Sequence, residues 1–122
     1  MLFRSLAANA IDIHGVKVIT HRCDDWDADS MRAQIDQLRR KASPLAVLLA
    51  AGGEGKVLLV AAVGKELIEK GISAVDWVKA SAKAVGGGGG GRPDLAQAGG
   101  KKPEGIAQSL TDAVEYLRGR LK

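Results

Sequence analysis

Leu45-Ala-Val-Leu-Leu-Ala-Ala51 and Val57-Leu-Leu-Val-Ala-Ala-Val63 stand on either side of Gly52-Gly-Glu-Gly-Lys56. Two short apolar runs around a glycine turn predict a β-hairpin. A strand with one wet face would alternate apolar and polar residues. These runs hardly alternate, so both faces are expected to be covered and the hairpin to be central in its sheet.

Working towards the N-terminus, Met31, Ile35, Leu38 and Ala42 follow i, i+4, i+7, i+11 spacing, one face of a helix. Asp29 or Ser30 is expected to cap it, and Ser43-Pro44 to end it. Ile11 with Ile13 and Val16 with Val18, separated by Gly15, predict two short strands or one bulged strand. Residues 1–9 have weak helical character, so 1–14 reads as the end of a preceding helical linker or as a first strand. The main domain is then 15–122.

Towards the C-terminus, Lys65 to Lys70 predicts one or two helical turns closed by Gly71. Ser73-Ala-Val-Asp76 resembles a capping box with Asp in place of Glu. Val75, Val78, Ala82 and Val85 then form a helical face, and Leu95 to Ala98 predicts a short strand. Pro103-Glu-Gly105 opens a last helix with Ile106, Leu110, Ala113 or Val114, Leu117 and Leu121 on its inner side. The fold class is α/β: a single domain whose mixed sheet has a central hairpin covered by helices.

Bulk properties narrow the function. A chain of 122 residues fits one domain and needs no disulfide or metal to fold. Cys23 is the only cysteine, so no intrachain disulfide forms, and a lone thiol suits a reducing compartment. No signal-peptide h-region and no membrane-length apolar run is present, so a cytoplasmic protein without a membrane partner is expected. The net charge of +4 is unevenly placed. Lys79, Lys83, Arg92, Lys101 and Lys102 face a single acid, Asp94, between positions 79 and 102, whereas Asp24, Asp25, Asp27 and Asp29 crowd one short loop. Basic residues around a glycine run suggest a polyanionic partner; an ordinary solvated face is the alternative.

That run is Gly86 to Gly91, followed by Arg92-Pro-Asp-Leu-Ala-Gln-Ala-Gly-Gly100. Glycine is favoured where backbone must take positive φ or be approached closely. Another strand, or a bound phosphate or sugar, is expected to lie against it. A Rossmann fingerprint would follow a strand and open a helix, and a P-loop would end in Gly-Lys-Ser/Thr; this run does neither. His14 and His21 lack partners at zinc spacing, the aspartates lack calcium-loop spacing, and no Ser/His/Asp set declares itself. No metal, cofactor or catalytic residue is expected. Arg39-Arg-Lys41 suits a helix C-terminus. Packing at a helix edge is the first expectation for Trp77 and base stacking the second. Arg92 reads either as a phosphate or ribose contact or as an internal ion pair with Asp94 or Glu104.

The Gly-Gly-Gly-Arg-Pro-Asp-Leu-Ala-Gln-Ala-Gly-Gly signature resembles the one that closes bacterial alanyl-tRNA synthetases, the DHHA1 module also called C-Ala. The resemblance covers about Gly15 to Leu121 and preserves the order of helix, hairpin and final helix. It implies a non-catalytic tRNA-binding module that contacts the outer corner of alanine tRNA and helps aminoacylation and editing act on one tRNA. It also implies the remainder of a synthetase chain as partner. DHHA1 modules occur in DHH-type phosphodiesterases too, where a Gly-Gly-His loop corresponds; Arg92-Pro93-Asp94 stands in its place here. The substrate-binding half of such an enzyme is therefore the second reading, an oligomerisation module (a homodimer) the third, and glycines serving internal packing alone the fourth. Carried onto this chain, the signature names Gly88, Gly89, Gly90, Gly91, Arg92, Asp94, Gln97, Gly99 and Gly100 as nucleic-acid-binding. Electrostatics adds Lys79, Lys83, Lys101 and Lys102.

Overall fold

In a computed structural model, which describes residues 11–13, 15–22, 27–41, 45–53 and 55–120, the apolar hairpin is the middle of a six-stranded sheet. The strands are β1 (Ile11–Ile13), β2 (Val16–Arg22), β3 (Leu45–Gly53), β4 (Lys56–Val63), β5 (Gly88–Gly91) and β6 (Leu95–Gly100). The helices are α1 (Ala28–Lys41), α2 (Lys65–Glu69), α3 (Ala74–Ala82) and α4 (Ile106–Arg120). The sheet order is β1-β2-β3-β4-β6-β5. Only the β2–β3 pair is parallel, as expected of two strands joined by a crossover helix, α1. The first two strands form a tight antiparallel pair around Gly15, whose φ of +86° suits glycine.

Alternation along the strands splits the core in two. On one face Val18, Leu48, Leu59, Ala61, Ala96 and Ala98 pack under α2, α3 and α4. On the other, Ile19, Val47, Leu49, Val60 and Ala62 meet Met31, Ile35 and Leu38 of α1. Hence β3 and β4 are buried on both sides, as their unbroken apolarity requires. The unequal cover matters more for the site. Among the described residues, three helices share one face, while α1 covers the other only over β2, β3 and β4. No described helix covers the α1-side face of β6 and β5.

Several expectations change in detail. Asp27, rather than Asp29 or Ser30, caps α1, because its Oδ1 accepts the Ser30 N–H at 2.8 Å and so satisfies a first-turn donor. That hydrogen bond holds the Asp27 carboxyl below the ordinary carboxylate value. Ser73 caps α3 by accepting the Asp76 N–H. Trp77 is not at a helix edge. It is fully buried between α3 and α4, and its Nε1 donates to the Ala113 carbonyl at 2.9 Å, so it is unavailable for stacking on a base. The inner face of α4 is Ile106, Ser109, Ala113 and Leu117, with Leu110 and Val114 half-buried beside it. The buried Ser109 hydroxyl donates to the Ser81 carbonyl at 2.6 Å and ties α4 to α3. Residues 1–9, His14, Cys23, Asp24, Asp25, Trp26, Ala42, Ser43, Pro44 and Leu121 lie outside the described residues.

Candidate nucleic-acid interface

A short 3-10 turn, Lys83–Val85, leads from α3 into the glycine run. It closes at Gly86 in the left-handed region (φ +69°), whose N–H donates to the Lys83 carbonyl. Gly88 to Gly91 then form β5, an edge strand antiparallel to β6, pairing Gly88 with Gly99 and Gly90 with Gln97. Four of the six glycines are therefore strand, and the close approach is made by β6. A Cβ at Gly87 would collide with the Gly99 carbonyl, one at Gly89 with the Gln97 carbonyl, and one at Gly91 with Ala96 Cα at 2.7 Å. Gly100 is required for a similar reason, since a Cβ there would meet Val85 Cγ2 at 2.6 Å. At Gly88 and Gly90 an added Cβ would meet nothing within 4 Å.

The turn from β5 to β6 is anchored at several points. The Arg92 N–H donates to the Leu95 carbonyl at 2.9 Å. The Ala74 N–H at the start of α3 donates to the Pro93 carbonyl, and the Val63 N–H at the end of β4 to the Asp94 carbonyl. This fixes the backbone that carries Arg92. The side chain itself is 73% exposed, with Nε 3.6 Å from Asp94 Oδ1. Both readings of Arg92 thus meet in one geometry: an ion pair with Asp94, not Glu104, orients a guanidinium that still faces solvent.

Arg92 forms one wall of an open cleft of about 380 Å³, lined also by Arg32, Gly90, Gly91, Leu95 and Gln97. A shallower hollow of about 200 Å³ is lined by Leu58, Gly88, Gly89, Gln97, Ala98 and Gly99. Together they occupy the sheet face that α1 leaves bare. Among the described residues, no carboxylate lines either one. Sequence reasoning missed Arg32. It lies 65 positions before Gln97, whose Oε1 accepts from its Nη1, and no local pattern joins them. Its one local signal is Asp29, three residues earlier, which pairs with Nη2 at 2.6 Å.

The lysines gather elsewhere. Lys101 and Lys102 both donate backbone N–H groups to the Val85 carbonyl, at 2.9 and 3.0 Å, and the Lys102 methylenes cover Gly86. Lys83 is exposed in the turn just before Val85, and Lys79 is exposed one helical turn earlier on α3. The expected residues therefore form two groups, one at each end of β6. By strand rise, Leu95 and Gly100 are about 17 Å apart.

Comparison with known proteins identifies the type of domain. The fold matches the crystallised C-Ala domain of alanyl-tRNA synthetase from Aquifex aeolicus with a TM-score of 0.78 and 28% identity, covering 92% of this chain and 96% of that one. It is a C-Ala-type domain and not a catalytic region. The chain belongs to the DHHA1 domain family, whose model matches residues 15–122. It is 44% identical over 110 residues to an alanine–tRNA ligase from Bacillus velezensis, covering 90% of this chain and 12% of that protein. It is 49% identical over 117 residues to the one from Rhodopirellula baltica, covering 95% of this chain and 12% of that protein. The chain thus spans only a small part of the relatives it matches. Among the described residues, no helix is long and apolar enough to cross a membrane.

Proposed function

We propose that this domain is a non-catalytic tRNA-binding module of an alanine–tRNA ligase. It contacts the tRNA elbow and helps aminoacylation and editing act on one tRNA. The observation that carries the reading is the exposed β5–β6 edge, with Arg92 at one end and Lys83, Lys101 and Lys102 at the other. Cations at the two ends of a strand about 17 Å long suit several phosphates of a folded RNA better than one small anion. The elbow of tRNA is a stacked, non-helical shape, so recognition through backbone and shape is expected rather than base sequence. Family membership and the relatives' names support the choice of tRNA.

The test is fluorescence anisotropy of labelled alanine tRNA, with a minihelix lacking the D and anticodon arms as competitor. Five phosphate contacts would give a log–log salt slope of roughly −3 to −5. Full tRNA should outcompete the minihelix, and Arg92→Ala with Lys101→Ala should weaken binding. Equal competition by the minihelix would reduce the interface to a generic basic surface, and unchanged affinity in the double variant would remove these residues from it.

A further inference from the structure

Arg32 is the cleft residue that the family signature does not contain, and it comes from the opposite layer of the fold. α1 is seated by Met31, Ile35 and Leu38, which puts Arg32 at its margin over the uncovered strands. There it is held twice, by Asp29 on its own helix and by Gln97 on β6. Its side chain is 39% exposed and lines the cleft. Two contacts do not exhaust the donors of a guanidinium. Across the cleft Arg92 is held by Asp94 and is likewise exposed. Each arginine is thus oriented by an aspartate outside the lining, and among the described residues no carboxylate lines the space that both face. Two pre-oriented planar forks at one cleft suit an anion that offers paired oxygens, as the phosphodiesters of an RNA do.

The floor is consistent with such an occupant. Gly90 shares the face of its pairing partner Gln97 and lines the cleft. No steric contact demands glycine there, since its missing Cβ would meet nothing within 4 Å and its φ is not in the left-handed range. Any other side chain would fill the cleft.

We propose that Arg32 and Arg92 clamp one phosphodiester of the bound RNA across the cleft floored by Gly90 and Gly91, with Gln97 fixing the Arg32 fork. This rests on the RNA-binding reading and adds to it a residue, a ligand group and a geometry.

Arg32→Gln, Arg32→Lys and Gly90→Val test it, measured by tRNA anisotropy at several salt concentrations and by thermal melting. Arg32→Gln should weaken binding about tenfold, the scale of one charge-assisted hydrogen bond. It should also flatten the salt slope, by at most roughly 0.7 to 0.9, one phosphate's share, because Arg92 still holds the same phosphate. Arg32→Lys should restore the slope but not the full affinity, because it keeps charge and loses the fork. Gly90→Val should melt as the parent does and bind weakly. If Arg32 were only a strap between α1 and β6, Arg32→Gln would lower the melting temperature and leave the slope unchanged. Parental affinity and slope in Arg32→Gln, or an unfolded Gly90→Val, would overturn the clamp while leaving tRNA binding intact. An RNA trinucleotide supplies the independent arm: it should shift the amide signals of Gly90 and Gly91 and the Arg32 Nε–H signal in NMR. Those shifts without tRNA binding would keep the clamp and overturn the tRNA reading. Neither shifts nor tRNA binding would overturn both.

Discussion

At Gly87, Gly89 and Gly91 an added methyl would run into the backbone of β6, and the φ of +148° at Gly91 adds strain of its own. At Gly88 the same methyl would stand in open space. Neighbouring residues of identical chemistry should therefore respond oppositely to alanine. Gly89→Ala is expected to destabilise the domain by about 1–3 kcal/mol, the range for overpacking. Gly88→Ala should be neutral or stabilise by about 0.4–1 kcal/mol through the unfolded chain. Urea denaturation of the two variants checks this, and equal damage in both would contradict the β5–β6 register. Asp27 is a second single-residue case. Its carboxyl is held below the ordinary value by the Ser30 N–H, so its contribution is present above the unfolded-state value and is lost as pH falls through the folded-state one. Asp27→Asn retains a neutral cap. The stability gap between parent and variant should close in acid, which denaturation midpoints measured across pH would show.

Among the elements, α1 has two tasks. Among the described residues, its inner face is the sole helical cover of Ile19, Val47, Leu49 and Val60, and its margin carries Arg32. Ile35 is fully buried, and Ile35→Ala is expected to cost about 2–5 kcal/mol, since the lost transfer energy is joined by a cavity that collapses only in part. The midpoint of chemical unfolding measures it, and a loss well under 1 kcal/mol would mean that α1 packs loosely. α3 and α4 are joined differently, by Trp77 against Ala113 and Ser109 against Ser81. These internal hydrogen bonds satisfy polar groups that burial would otherwise leave costly.

For the whole molecule, the layers are unequal. Among the described residues, helices crowd one face and a single helix half-covers the other, so the basic edge and the open cleft adjoin without competing for space. Among the described residues the two ends of that edge share no hydrogen-bond or ion-pair partner, and sites more than about 10 Å apart usually behave additively. The binding losses of Arg92→Ala and Lys101→Ala should therefore sum in the double variant to within about 0.5 kcal/mol. Anisotropy titrations of the three variants test this. Strong non-additivity would mean that one RNA group bridges both ends.

Much of this was legible in the residues. The unbroken apolarity of Leu45–Ala51 and Val57–Val63 required a central hairpin, and the spacing of Met31, Ile35 and Leu38 required a helix facing it, because burial leaves a periodic mark on local sequence. The glycine run with Arg92-Pro93-Asp94 announced a close approach and pointed to the family. What approached could not be read there. Glycines carry no side-chain pattern, so their pairing was decided by β6, and with it the division between glycines the fold needs and glycines it merely allows. Trp77 lay off the apolar stripe by spacing and still became core, because α4 packed over that side of α3. Arg32 entered the site only when folding brought it to Gln97 from 65 residues away. Contacts of that range have no local period to betray them, so the cleft itself is a product of tertiary structure: among the described residues, one helix too narrow to cover a six-stranded sheet.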